Sequence, residues 1–375
     1  MIHGIMESGK RQRFYHPELD GLRFAAFLLV FIHNANPILK GTFLETFSAY
    51  SWFGVDLFFC LSAFLITRLL TEEYRRTGNI NARDFFLRRI LRICPLYFFY
   101  ILAGVMIIAP MEGRNINIPG HLASLATFTF NAGYFALLPS PILIFIHLWS
   151  ISYEAQFYAL APWLVRRLAS RDDRSVLRLL GGMYGAGSVI RALFILLQAR
   201  HPAIYFLPFT HFDALIGGIL LGLGRLEPVL ERLPASALRT VGLACLGAIF
   251  LLPNNDVTGW GLMLTYPLTG LAACLLIAPK PDLLHRIMAH PLLVSLGKIS
   301  YGLYVFHFGA FLLATTLLSN ALGIAALPYP RYTFPALALA LILTILLSTL
   351  SYTLLEKPFL RLKARFGSAP PTHVG

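Results

Sequence analysis

Charge is what this sequence has least of. Asp, Glu, Lys and Arg make up 13% of its 375 residues, about half the fraction of an ordinary soluble domain. That scarcity argues against a soluble globular chain. Cysteine is also rare: Cys60, Cys94, Cys245 and Cys274 stand in no CxxC or zinc-like spacing. Each lies in or beside an apolar block and reads as a small packing residue, so no metal site is expected. Acidic residues are outnumbered 18 to 31, which leaves a net charge of +13. The excess suggests nucleic acid, but the basic residues sit at the ends of apolar blocks rather than in a stripe on a polar surface. No nucleic-acid partner is expected. No cleavable signal peptide is expected from the N-terminal residues. The first 20 residues are polar and basic, and the apolar run after them lacks a small-residue cleavage site.

What is present is hydrophobic length. Apolar residues make up 57% of the chain, and mean hydropathy is +0.67. A membrane span needs about 20 mostly apolar residues. Blocks such as 96–109, 176–197, 240–252 and 336–355 are spans or the larger part of one. Spans are expected at about 19–38, 50–71, 94–110, 145–165, 176–198, 205–225, 238–253, 260–278, 297–319 and 334–355. The weakly apolar stretch 120–144 is interrupted by Asn131, Pro139 and Pro141. If it spanned, Arg166, Arg167, Arg171, Arg174 and Arg178 would face outward, against the bias that keeps basic residues inside. If it is re-entrant, every basic cluster falls inside, and only Lys40, Arg114, Arg200 and Arg331 lie outside. The expected fold class is therefore all-α: a polytopic integral membrane bundle of about ten transmembrane helices, with both termini cytoplasmic. Residues 1–18 form an N-terminal tail, 19–358 the membrane domain, and 359–375 a basic, Pro-rich tail. No internal repeat is visible.

An ionisable group in hydrocarbon is costly unless paired or wet, so each one is a functional candidate. These are Arg23 and His33 on the first span, Asp56 on the second, Glu154, Arg191, Asp213 and His307. Taken together they point to a polar cavity, although any single one could be a structural contact between helices. His33 and Glu154 are both expected near mid-membrane. A histidine there can take a proton from a hydroxyl while a carboxylate orients it. A proton relay in a transporter would use the same pair. Arg83, Arg88, Arg89 and Arg92 form a dense cluster in which Arg88 and Arg92 are one helical turn apart. Guanidinium groups on one face suit a multi-phosphate ligand. On the residues alone, the plainer reading is a positive-inside cluster against lipid headgroups.

Seven motifs occur in order along nearly the whole chain. They are Glu18-Leu19-Asp20-Gly21-Leu22-Arg23 with His33 after it, GVDLFFCLSAFLI from Gly54 to Ile66, and FFLRRILRICPLY from Phe85 to Tyr97. HLWSISYEAQFY from His147 to Tyr158 follows, then Phe212-Asp213-Ala214-Leu215, ISYGLYVFH from Ile299 to His307, and Glu356-Lys357-Pro358-Phe359. In these the chain resembles the acyltransferase-3 family of membrane O-acyltransferases. The resemblance implies ten spans in a bacterial inner membrane. It implies transfer of an acyl group, usually acetyl, from cytoplasmic acetyl-CoA to a hydroxyl of a carbohydrate or glycolipid acceptor, as in polysaccharide modification. Carried over, Arg23 and His33 are the essential first-span pair, with Glu154 beside them. Arg89 and Arg92 match the family's donor-linked pair, and Arg88 beside them is expected to join them on the donor's phosphates. Trp149, Tyr153, Asp213 and His307 are expected on the substrate side. Three positions depart from the pattern. Nine residues, not ten, separate Arg23 from His33, Ala63 replaces a glycine, and Ala155 replaces an acidic residue. The rival reading from another class is a transporter or flippase for a polar or lipid-linked sugar.

Overall fold

The computed structural model describes residues 16–108, 118–136, 143–324 and 331–363. Among them every regular element is helical and there is no strand. The principal helices are α1 (Pro17–Asn34), α2 (Phe53–Thr77), α3 (Ala82–Ile108), α4 (Trp149–Ala169), α5 (Asp173–Leu196) and α6 (Asp213–Gly222). They continue with α7 (Ala235–Ile249), α8 (Leu262–Ile277), α9 (Pro291–Lys298), α10 (Ser300–Leu322) and α11 (Thr333–Ser351).

Among the described residues five helices are long and apolar enough to cross a membrane: Glu45–Thr77, Ala82–Ile107, Asp173–Leu196, Ser300–Leu322 and Thr333–Leu362. The count differs from the ten expected for two physical reasons. The helices α6, α7 and α8 have 10, 15 and 16 residues, short of the roughly 20 that a full crossing needs. Helix α1 has only 18 residues, three of them charged (Glu18, Asp20 and Arg23), and α4 is diluted by polar residues such as Ser150, Ser152, Glu154 and Gln156, so neither holds an apolar window of span length. Within 120–144 there are two short helices, Ile118–Ala126 and Phe130–Ala136, each less than half a span. Residues 137–142, with Pro139 and Pro141, lie outside the described residues. So do 1–15 and 364–375, which hold most of both tails.

Several helices present apolar stripes outward: Phe99, Leu102 and Met106 on α3, Val189, Leu193 and Leu196 on α5, and Ile342, Leu346 and Leu350 on α11. Their three- and four-residue spacing puts each set on one helix face, as a lipid-facing surface requires. The inner seam is built from small residues. A Cβ placed on Gly218 of α6 would stand 2.4 Å from the Cys60 carbonyl oxygen of α2, so only glycine permits this close approach. Beside that seam lie two fully buried polar pairs. His211 Nε2 is 2.7 Å from Asp56 Oδ1. The Arg191 guanidinium donates to Asp213 and, at 2.7 Å, to the Thr210 carbonyl. Tyr266 lies against both pairs, with its ring 4.1 Å from that of His211 and 5.0 Å from the Arg191 guanidinium. Polar groups this deep are tolerable where each faces a complementary partner, as Arg191 faces Asp213.

Candidate active site

A chamber of about 270 Å³ opens between α1, α2, α3, α4 and α10. Arg23 comes from α1, Arg89 and Arg92 from α3, and Glu154 and Tyr158 from α4. The sequence puts them there by helical spacing. Glu154 and Tyr158 are four residues apart and share one face, and the Tyr158 hydroxyl donates to the Glu154 carboxylate. Ser62 Oγ of α2 lies 2.7 Å from the same hydroxyl. Arg89 lies over the rings of Phe85 and Tyr158, at 5.7 and 5.6 Å, and its Nε has no hydrogen-bond partner among the described residues. Asp20, one turn before Arg23, accepts from it at 3.3 Å. Ser150 and Tyr304 line the chamber as well. Three guanidinium groups against one carboxylate make it a cationic space with one proton acceptor.

A second chamber of about 430 Å³ adjoins the first and shares Arg23, Arg92 and Tyr301 with it. Its other walls come from Lys298, at the end of α9, and from the π-helical turn Tyr352–Glu356 that follows α11.

Of the residues singled out in the sequence, the structure brings Arg23, Arg89, Arg92 and Glu154 together. The others sit elsewhere. Arg88 turns toward Glu73 at 3.7 Å. His33 does not line the chamber. Ten residues carry the helix about 15 Å past Arg23, where His33 Nδ1 meets the Ser48 carbonyl at 3.0 Å. Its neighbour Asn34 reaches His307 Nε2 at 2.9 Å. The His307 ring lies 4.9 Å from that of His147, and Tyr304 OH donates to the His147 carbonyl at 2.9 Å. Behind the chamber's end wall of Tyr304 and Ser150 there is therefore a buried imidazole pair. Trp149 stacks on Phe206 at 4.2 Å, and Tyr153 stacks on Phe59 at 4.2 Å. Both are packing residues in this arrangement, and Asp213 is taken up by Arg191. Sequence reasoning passed over Lys298, Ser62 and His211. Only Ser62, which sits within the second-span motif, carried a signal.

The described residues form an all-helical bundle with apolar outer stripes and an arginine-lined inner chamber, the character of a multi-pass membrane protein. The chain belongs to the acyltransferase family, whose domain model matches residues 16–352. It is 28% identical to a Staphylococcus aureus (strain MSSA476) protein that carries a provisional O-acetyltransferase name, over 92% of this chain and 57% of that one. It is 26% identical to the peptidoglycan O-acetyltransferase OatA of Listeria monocytogenes, over 82% of this chain and 51% of that one. It is also 26% identical to the O-acetyltransferase OatA of Staphylococcus aureus, over 92% and 57%. The chain thus spans little more than half the length of the curated relatives it matches. No solved structure is a significant match.

Proposed function

We propose that this chain is a multi-pass O-acetyltransferase of the bacterial inner membrane, with about ten spans and both termini cytoplasmic. It moves an acetyl group from acetyl-CoA to a hydroxyl of a carbohydrate-containing acceptor. The observation that carries this reading is the convergence of Arg23, Arg89, Arg92 and Glu154 on one chamber. The donor enters from the cytoplasmic side. Its thioester lies in the inner chamber, where the guanidinium groups favour negative charge developing on the carbonyl oxygen. Glu154 takes the proton of the attacking hydroxyl, with Tyr158 fixing the carboxylate's orientation. The hydroxyl oxygen bonds to the acyl carbon, the carbon–sulfur bond breaks, and the thiolate of coenzyme A leaves. His33, at the far end of the same helix as Arg23, serves the acceptor side. The Listeria relative's name, a peptidoglycan O-acetyltransferase, favours a cell-wall glycan as acceptor.

The test compares the wild type with Glu154→Gln and His33→Ala in the native host, by mass spectrometry of surface glycans and glycolipids. The expected result is an increment of one acetyl group in the wild type that both variants lack while inserting normally. Full acetylation in Glu154→Gln would remove the proton-acceptor role. Acetylation unchanged when the whole chain is deleted would remove the proposed function itself.

A further inference from the structure

The second chamber carries an inference that rests on the proposed donor and specifies how it is held. Its cations are Arg23, Arg92 and Lys298, its acids are Asp20 and Glu356, and the rings of Tyr301 and Tyr352 stand beside them. The cations are not equally available. Arg23 is engaged by Asp20, and Arg88, on the same helix as Arg92, is engaged by Glu73. Neither Arg92 nor Lys298 is in an ion pair among the described residues, and Lys298 is exposed. Glu356 accepts from Ser351 Oγ at 3.4 Å.

Backbone packing places Lys298 here, and an irregular turn completes the chamber. A Cβ on the preceding residue, Gly297, would stand 1.9 Å from the Asp20 carbonyl oxygen. The end of α9 therefore lies backbone against backbone on the first turn of α1, next to Arg23. The turn Tyr352–Glu356 is π-helical and contributes both its end residues to the chamber. Such a turn interrupts regular packing and is common at functional sites.

We infer that this chamber is a phosphate site for a nucleotide-type head group, with Lys298 and Arg92 as its principal anion-binding residues and Arg23 at the junction to the inner chamber. Charge-assisted contacts from ammonium and guanidinium groups suit phosphate oxygens, and aromatic faces suit a base. The two chambers then divide the donor, with its charged head in the second chamber and its acyl arm in the inner one. An anionic phospholipid headgroup presents the same phosphate chemistry, so the experiment separates the two sources.

The full chain is reconstituted in phosphatidylcholine nanodiscs and titrated calorimetrically with coenzyme A, then with pantetheine, which has the arm but no phosphate. Lys298→Gln is expected to weaken coenzyme A binding about tenfold and Lys298→Glu further, while Lys298→Arg stays within about threefold of wild type. Pantetheine affinity is expected to be the same in all four proteins. Wild-type affinity for coenzyme A in Lys298→Gln overturns this inference but leaves the proposed donor standing. No coenzyme A binding by the wild type removes both. Loss of co-purifying anionic phospholipid from Lys298→Gln, with coenzyme A affinity unchanged, assigns the chamber to lipid and overturns the nucleotide reading.

Discussion

Replacing Asp213 tests whether a motif residue acts on substrate or on the fold. Its carboxylate and the Arg191 guanidinium form a pair in which the side chains are 4% and 1% exposed. Asp213→Ala leaves that guanidinium in place with only the Thr210 carbonyl at 2.7 Å, the Leu262 carbonyl at 3.5 Å and the face of Tyr266. An unpaired buried charge costs about 3–5 kcal/mol. At roughly 2 °C per kcal/mol for a chain of this size, the melting midpoint drops by about 6–10 °C. Replacing both partners by apolar residues, Arg191→Met with Asp213→Leu, removes the stranded charge and restores most of the loss, because the two sites are strongly coupled. The assay is the temperature at which the detergent-solubilised protein loses its monodisperse chromatographic peak. A single variant that melts within about 2 °C of wild type yet has lost acetyl transfer would refute this reasoning. Asp213 would then belong to the substrate after all.

Three further outcomes follow from the same geometry. Arg92→Gln should raise the donor KM about tenfold in a coenzyme A release assay, and Arg88→Gln less than threefold, because Arg92 lines both chambers and Arg88 is turned to Glu73. Gly218→Ala should cost about 1–3 kcal/mol of stability in the same melting assay, since its new methyl meets the Cys60 carbonyl rather than a movable side chain. The third concerns Asp282, which lies outside the spanning helices. Burial alone would raise its carboxyl, yet the His285 N–H, the His285 ring and the Arg239 guanidinium hold it down to about 2. The carboxylate therefore stabilises the fold fully above the ordinary value of 3.8 and loses that effect as pH falls from there through about 2. The melting gap between wild type and Asp282→Asn should be constant near neutrality and shrink on acidification through that window. A gap independent of pH would mean that the Asp282 contact stabilises nothing.

The sequence by itself determined the class of structure. Blocks of apolar residues at span length can only be satisfied as helices in a bilayer, and the described residues are all helical. It also fixed the residues worth attention, because an ionisable group among such blocks is conspicuous. Arg23, Arg89, Arg92 and Glu154 were legible as candidates, and helical spacing alone already put Glu154 and Tyr158 on one face. The sequence could not say which candidates share a cavity, because that depends on how helices distant in sequence cross. Only tertiary packing moved His33 out of the chamber, gave Asp213 to Arg191, and turned Arg88 to Glu73. Only packing brought Lys298 beside Arg23, from more than two hundred residues along the chain, through close glycine-to-backbone approaches that include Gly297 on Asp20. A charge on a helix end has no preferred partner in one dimension. It acquires one when the bundle closes and the cost of leaving it unpaired has to be met by whatever lies opposite.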